Sequence, residues 1–122
     1  MVSTSFITSI LTAILALSAL AQPTPSLTAE QRADILMARK MYREAVDVYR
    51  EGPLDSAIIW NKIGIAYHQM LQMSEASKYY QQAIKLNPKY LNAYQNRAKA
   101  RKAAGDAEGG KADEEKAREL AK

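Results

Sequence analysis

The sequence predicts an all-α protein built from about three antiparallel helical hairpins. Three observations carry this. Between residues 57 and 90, apolar positions recur three and four apart in two runs, which puts each set on one helical face. The pattern also repeats. Tyr94, Ala98 and Leu120 lie 34 residues after Trp60, Gly64 and Leu86 (94 − 60), while Ala45 and Tyr49 lie 31 before Ala76 and Tyr80 (76 − 45). Finally, turn residues fall between the runs, at Gly52-Pro53, Pro88 and Gly105-Asp106.

Residues 1–21 carry no charged side chain, and Phe6 to Ala21 is apolar with interspersed Ser and Thr. The run ends Ala19-Leu20-Ala21, small residues spaced Ala-x-Ala, before Gln22-Pro23-Thr24-Pro25-Ser26. This is the layout of a secretory signal peptide cleaved after Ala21, although the amino terminus is the sole positive charge ahead of the apolar run. The expectation is an exported protein, periplasmic or secreted, of 101 residues (122 − 21). A retained membrane anchor is the alternative; against it, the run is short for a spanning helix and no positive flank follows. A disordered or buried N-terminal helix in a cytosolic protein is the third reading.

Residues 22–27 form an extended Pro/Thr/Ser linker, and the domain occupies 28–122. Thr28-x-x-Gln31 reads as a capping box opening a helix from Ala29 to about Arg39. A second helix runs from about Met41 to Glu51, with Tyr42, Ala45, Val46, Val48 and Tyr49 apolar, and Asp55 or Ser56 stands ready to cap the next. This first unit, 28–56, is three residues short of 34 and lacks the aromatic at the position of Trp60, so it reads as degenerate.

The central unit, 57–90, is the most specific. Trp60, Ile63, Gly64 and Tyr67 share the face of one helix; Ala76, Tyr80, Ala83 and Ile84 share that of the next. Glycine within a helix costs about 1 kcal/mol relative to alanine, so Gly64 needs a packing reason. Small Gly64 and Ala76 let two helices approach, with Trp60, Tyr67 and Tyr80 around them. Pro88 stops the second helix. The stretch resembles one tetratricopeptide repeat, whose signature is Trp-x2-Leu-Gly-x2-Tyr, Ala-x3-Phe and Pro, with Ile63 and Tyr80 as the substitutions. The resemblance implies a short right-handed solenoid whose job is to bind other proteins. In the third unit, 91–122, Arg97, Arg101, Gly110 and Glu114 replace Ile63, Tyr67, Ala76 and Tyr80. Its last helix, about Ala107 to Ala121, reads as a polar cap weakened by Gly109-Gly110.

In this family the first helix of each repeat lines a concave groove. Carried over, the groove holds Glu30 and Asp34 in the first unit, Asn61, Ile65 and His68 in the second, and Asn92, Gln95, Lys99 and Lys102 in the third. It therefore grades from acidic to basic, which would orient an extended peptide with its acidic part or C-terminal carboxylate near Lys99 and Lys102. Asn61 and Asn92 are candidate donors to a peptide backbone. The alternative is that all these are solvated helix faces. The family's carboxylate-clamp pattern of Lys and Asn is not present as a whole.

Other chemistry is poorly represented. There are no cysteines and a single histidine, so no thiolate site or metal-ligand spacing exists, and no cofactor is implied. No nucleophile stands beside an acid–base pair, which points away from an enzyme. A net charge of +4 is mild for nucleic-acid binding, and the acidic residues from Asp106 to Glu115 offset the cluster Arg97, Lys99, Arg101 and Lys102. The expected role is an adaptor or assembly factor binding a protein or peptide. The alternatives are a membrane-anchored scaffold, a docking subunit of a larger enzyme, and a homo-oligomer paired through Tyr42, Val46 and Tyr49.

Overall fold

A computed structural model describes residues 23–122. The signal peptide and its cleavage after Ala21 lie outside the described residues. Six helices follow in order: α1 (Ala29–Ala38), α2 (Tyr42–Tyr49), α3 (Ala57–Gln69), α4 (Met73–Leu86), α5 (Leu91–Ala103) and α6 (Ala107–Leu120). Each packs on its neighbours in sequence, giving three hairpins, and α3 also touches α5.

The ends of the helices are set by local chemistry. Thr28 caps α1 as a full box: its hydroxyl accepts from the Gln31 N–H (3.1 Å) and the Gln31 side chain accepts from the Thr28 N–H (2.9 Å). Ser56 stands at the start of α3 without donating or accepting a side-chain capping bond. Inside every hairpin one residue turns left-handed: Lys40 (φ 61°), Leu71 (φ 61°) and Gly105 (φ 94°). The following N–H then bonds five residues back, Met41 to Leu36, Gln72 to Tyr67 and Asp106 to Arg101. This is one helix-terminating turn used three times, with glycine only in the third.

The core is concentrated in the first two hairpins. Val46, Tyr49, Ile59 and Ile63 are buried together with Ala33, Ala45 and Ala66. The first unit, read as degenerate from its missing aromatic, thus supplies much of the large apolar volume. Val46 and Tyr49 are enclosed within the chain and so are not available to pair across a two-fold axis. Gly64 explains itself here: a Cβ at that position would come within 2.5 Å of the Tyr80 ring. Tyr79 stacks between Tyr67 (4.8 Å) and Trp60 (6.0 Å), and Arg50 lies 5.5 Å above its ring. The indole N–H of Trp60 donates to the Leu54 carbonyl (2.7 Å), fixing the ring.

The third hairpin is held differently. Asp113 is only 3% exposed, and its carboxylate takes two hydrogen bonds from Arg97 (2.7 and 2.9 Å) and one from Arg101 (3.0 Å). The charges that replace the apolar residues of the central unit therefore pair inside the hairpin. Gly109 and Gly110 are a requirement more than a weakness. A Cβ on Gly110 would meet the Lys102 stem at 2.5 Å and the Ala98 carbonyl at 3.0 Å, and one on Gly109 would strike the Asp106 carboxylate that caps α6.

Candidate functional site

Helices α1, α3 and α5 share one face, and two cavities open on it. The first, about 210 Å³, is lined by Asp34, Met37, Tyr49, Lys62 and Ile65. The second, about 260 Å³, is lined by Ile65, His68, Gln69, Tyr80, Asn96 and Lys99. They are the same cavity one repeat apart. Asp34, Met37 and Tyr49 advance by 31 positions (65 − 34) to Ile65, His68 and Tyr80; Lys62 and Ile65 advance by 34 (96 − 62) to Asn96 and Lys99. Each has a buried tyrosine from the second helix of its hairpin, with its hydroxyl on a residue of the first.

Their electrostatics differ. In the first cavity Lys62 bridges Glu30 (2.7 Å) and Asp34 (2.8 Å), and the Tyr49 hydroxyl donates to Asp34 (2.6 Å). Burial pushes the Asp34 carboxyl up, but Lys62 and Tyr49 outweigh it and hold it below the ordinary carboxylate value. Burial, then Asp34, raises the Tyr49 phenol. Burial alone would lower the Lys62 ammonium; Asp34 and Glu30 carry it above its ordinary value. Lys62 thus offsets one of the two negative charges at the acidic end of the groove.

The second cavity keeps its charge. Of the four cations on α5, Arg97, Arg101 and Lys102 are paired across to α6, whereas Lys99 enters no ion pair among the described residues. The Tyr80 hydroxyl lies 3.4 Å from His68 Nδ1. Burial, then the Lys99 charge, lowers the His68 imidazole, and burial raises the Tyr80 phenol.

The residues singled out from the sequence fall in distinct places. Ile65, His68 and Lys99 meet in the second cavity, and Asp34 in the first with Glu30 beside it. Asn61 is buried at 5% exposure, its amide taken by Asn96 (3.0 Å) and the Tyr90 hydroxyl (3.4 Å), so it does not face a peptide. The reason is α5, which packs over that side of α3. Gln95, the equivalent residue on α5, is exposed and lines a separate cavity of about 230 Å³ with Glu114, Ala117 and Arg118. Asn92 is exposed in the first turn of α5. Lys102 is tied to Glu114 and its stem covers Gly110. Among the motif residues, Ile63, Gly64, Ala76, Tyr80 and Ala83 are buried, Trp60 and Tyr67 are half-buried in the aromatic stack, and Pro88 is exposed with its carbonyl accepting from the Tyr94 hydroxyl (2.9 Å).

Lys62, Gln69 and Asn96 were missed in the sequence. Their signal was a stripe one residue along, Lys62-Ile65-Gln69, repeated 34 later at Asn96 and Lys99. Among the described residues no group of His, Cys, Asp and Glu is placed to hold a metal ion, and no helix is long and apolar enough to cross a membrane.

Comparison with known proteins agrees with this geometry. The family model of the tetratricopeptide repeat matches residues 57–90. The tetratricopeptide domain of Sgt2 from Aspergillus fumigatus is 30% identical, with 80% of this chain and 68% of that one covered and a TM-score of 0.72. The chain belongs to the tetratricopeptide-repeat family. Its three tetratricopeptide hairpins also resemble the second such domain of human RPAP3 in complex with the HSP70 peptide SGPTIEEVD, at 26% identity, 76% and 80% coverage and a TM-score of 0.73. The first domain of Spaghetti (RPAP3) bound to the HSP90 peptide SRMEEVD is similar at 26% identity, 75% coverage of both chains and a TM-score of 0.73. A search of the curated proteins gave no match.

Proposed function

We propose that this protein is a non-catalytic interaction module that holds an extended peptide across α1, α3 and α5. The observation that carries this is the pair of equivalent cavities on that face, one lined by its own ion pairs and one presenting Lys99. Relatives of this fold that carry acidic chaperone peptides support the reading. The family's carboxylate-clamp pattern of Lys and Asn is not present as a whole in this chain, so a chaperone C-terminal tail is not the peptide proposed for it. The apolar segment 1–21 supports an exported adaptor or assembly factor, periplasmic or secreted. The same segment, if retained, makes the module a membrane-anchored scaffold. The mass of the native N-terminus separates the two.

The test is capture of partners from the native envelope fraction, with the Lys99→Glu variant as control. Lys102→Glu is a poor control on its own, because it sets a second carboxylate beside Glu114 and loosens α6. A partner held by the wild type and lost in Lys99→Glu supports the groove; one held equally by both moves the interface elsewhere.

A further inference from the structure

The two cavities differ in one respect beyond net charge. In the first, the tyrosine hydroxyl bonds a carboxylate that lysine already neutralises. In the second, the equivalent tyrosine bonds the chain's single histidine. Tyr80 is 1% exposed, so its hydroxyl proton needs a partner, and His68 Nδ1 is the acceptor within reach. A ring that accepts at Nδ1 carries its hydrogen on Nε2, and that nitrogen is the one left for a ligand in the cavity. Among the described residues, Tyr80 from α4 and Lys99 from α5 are the charged or titratable groups that line the cavity with it.

We propose, resting on the groove reading above, that the cavity between α3, α4 and α5 is a carboxylate subsite in which Lys99 pairs with an acidic side chain of the bound peptide and His68 takes up one proton on binding, so that the groove grips more tightly as pH falls. The free site holds one cation, Lys99, whose charge opposes a second on His68. A carboxylate between them cancels that opposition and favours the imidazolium. The proton arrives at Nδ1, which then donates to the Tyr80 oxygen, and the Tyr80 hydroxyl hydrogen turns to the bound carboxylate in the cavity that Tyr80 also lines. A side chain is favoured over a chain terminus as the carboxylate source. The two cavities are built from equivalent positions and are similar in volume, so a peptide lying across both offers each one a side chain.

Because the chain has one histidine, its imidazole signal in an NMR pH titration of the 122-residue protein is unambiguous. The probes are N-acetylated, C-amidated tetraglutamate, the same peptide made of glutamine, and acetylated tetra-alanine with a free C-terminal carboxylate. Tetraglutamate is expected to raise the His68 midpoint, and its dissociation constant is expected to fall several-fold between pH of about 7.5 and about 5.5, by at most about tenfold per unit for one proton. The glutamine peptide should leave His68 unmoved. His68→Gln should remove the pH-dependence, and Lys99→Met should weaken tetraglutamate binding throughout that range. If tetraglutamate shifts amides of α1, α3 and α5 while the His68 titration stays in place, the subsite is overturned and the groove stands. If it shifts no groove amide, both fall. If the free terminus of tetra-alanine moves His68 as much, the side-chain assignment is wrong.

Discussion

At the scale of the residue, three positions show how much hangs on single backbone choices. Gly64 lies under the Tyr80 ring at 2.5 Å from where a Cβ would sit. Gly64→Leu is therefore expected to cost about 1–3 kcal/mol or more through overpacking, read as a lower midpoint in urea. Leu71 is left-handed and 80% exposed, in a turn where the third hairpin uses Gly105. Leu71→Gly should raise stability by about 0.5–1 kcal/mol, because the left-handed conformation costs an L-residue about 1–2 kcal/mol and the exposed side chain has little packing to lose. The need for glycine at position 64 was legible in the sequence, since an unexplained glycine in a helical run signals close approach. The strain at Lys40 and Leu71 was not, because neither residue type announces a positive φ. Asn61 shows the complementary difficulty: a polar residue on the right stripe reads as a groove contact until α5 is seen to cover it.

At the scale of the element, the hairpins use two kinds of glue. The first two bury apolar and aromatic side chains, and the third buries Asp113 between Arg97 and Arg101. Removing one member of a buried pair leaves an uncompensated charge, so Asp113→Ala is expected to cost about 3–5 kcal/mol. Hydrogen exchange should then show α6 losing protection while α2 and α3 keep theirs. The charges themselves were readable, as was their mutual neutralisation. That one carboxylate would be enclosed was not, because a run of alternating acids and bases looks the same whether it faces water or a partner helix. The link between α1 and α3 makes a separate prediction. The Asp34 carboxyl is held below its ordinary value of 3.8 in the folded chain. Its contribution is present above that value and is lost as pH falls through the lower folded one. Melting should thus drop on acidification below pH of about 4, and Asp34→Asn should flatten that part of the curve. An unchanged slope would mean that the Asp34–Lys62 contact contributes nothing.

At the scale of the whole molecule, the repeat does more than build a scaffold. It copies one cavity along the face of α1, α3 and α5 and leaves the sequence to vary its lining, from Asp34–Lys62 in one copy to His68–Lys99 in the next. The 34-residue spacing made the hairpins and the groove-bearing helices legible. It left the chemistry of the groove half-read, because Lys62 offsets part of an acidic end that looks open when α1 is considered alone. A bound partner is expected to lie on this face. The most direct measurement is hydrogen exchange on the complex with a captured partner, compared with the free chain. Added protection is expected on α1, α3 and α5, strongest around Ile65, His68 and Lys99. Protection confined to α2, α4 and α6, with the groove helices unchanged, would contradict it.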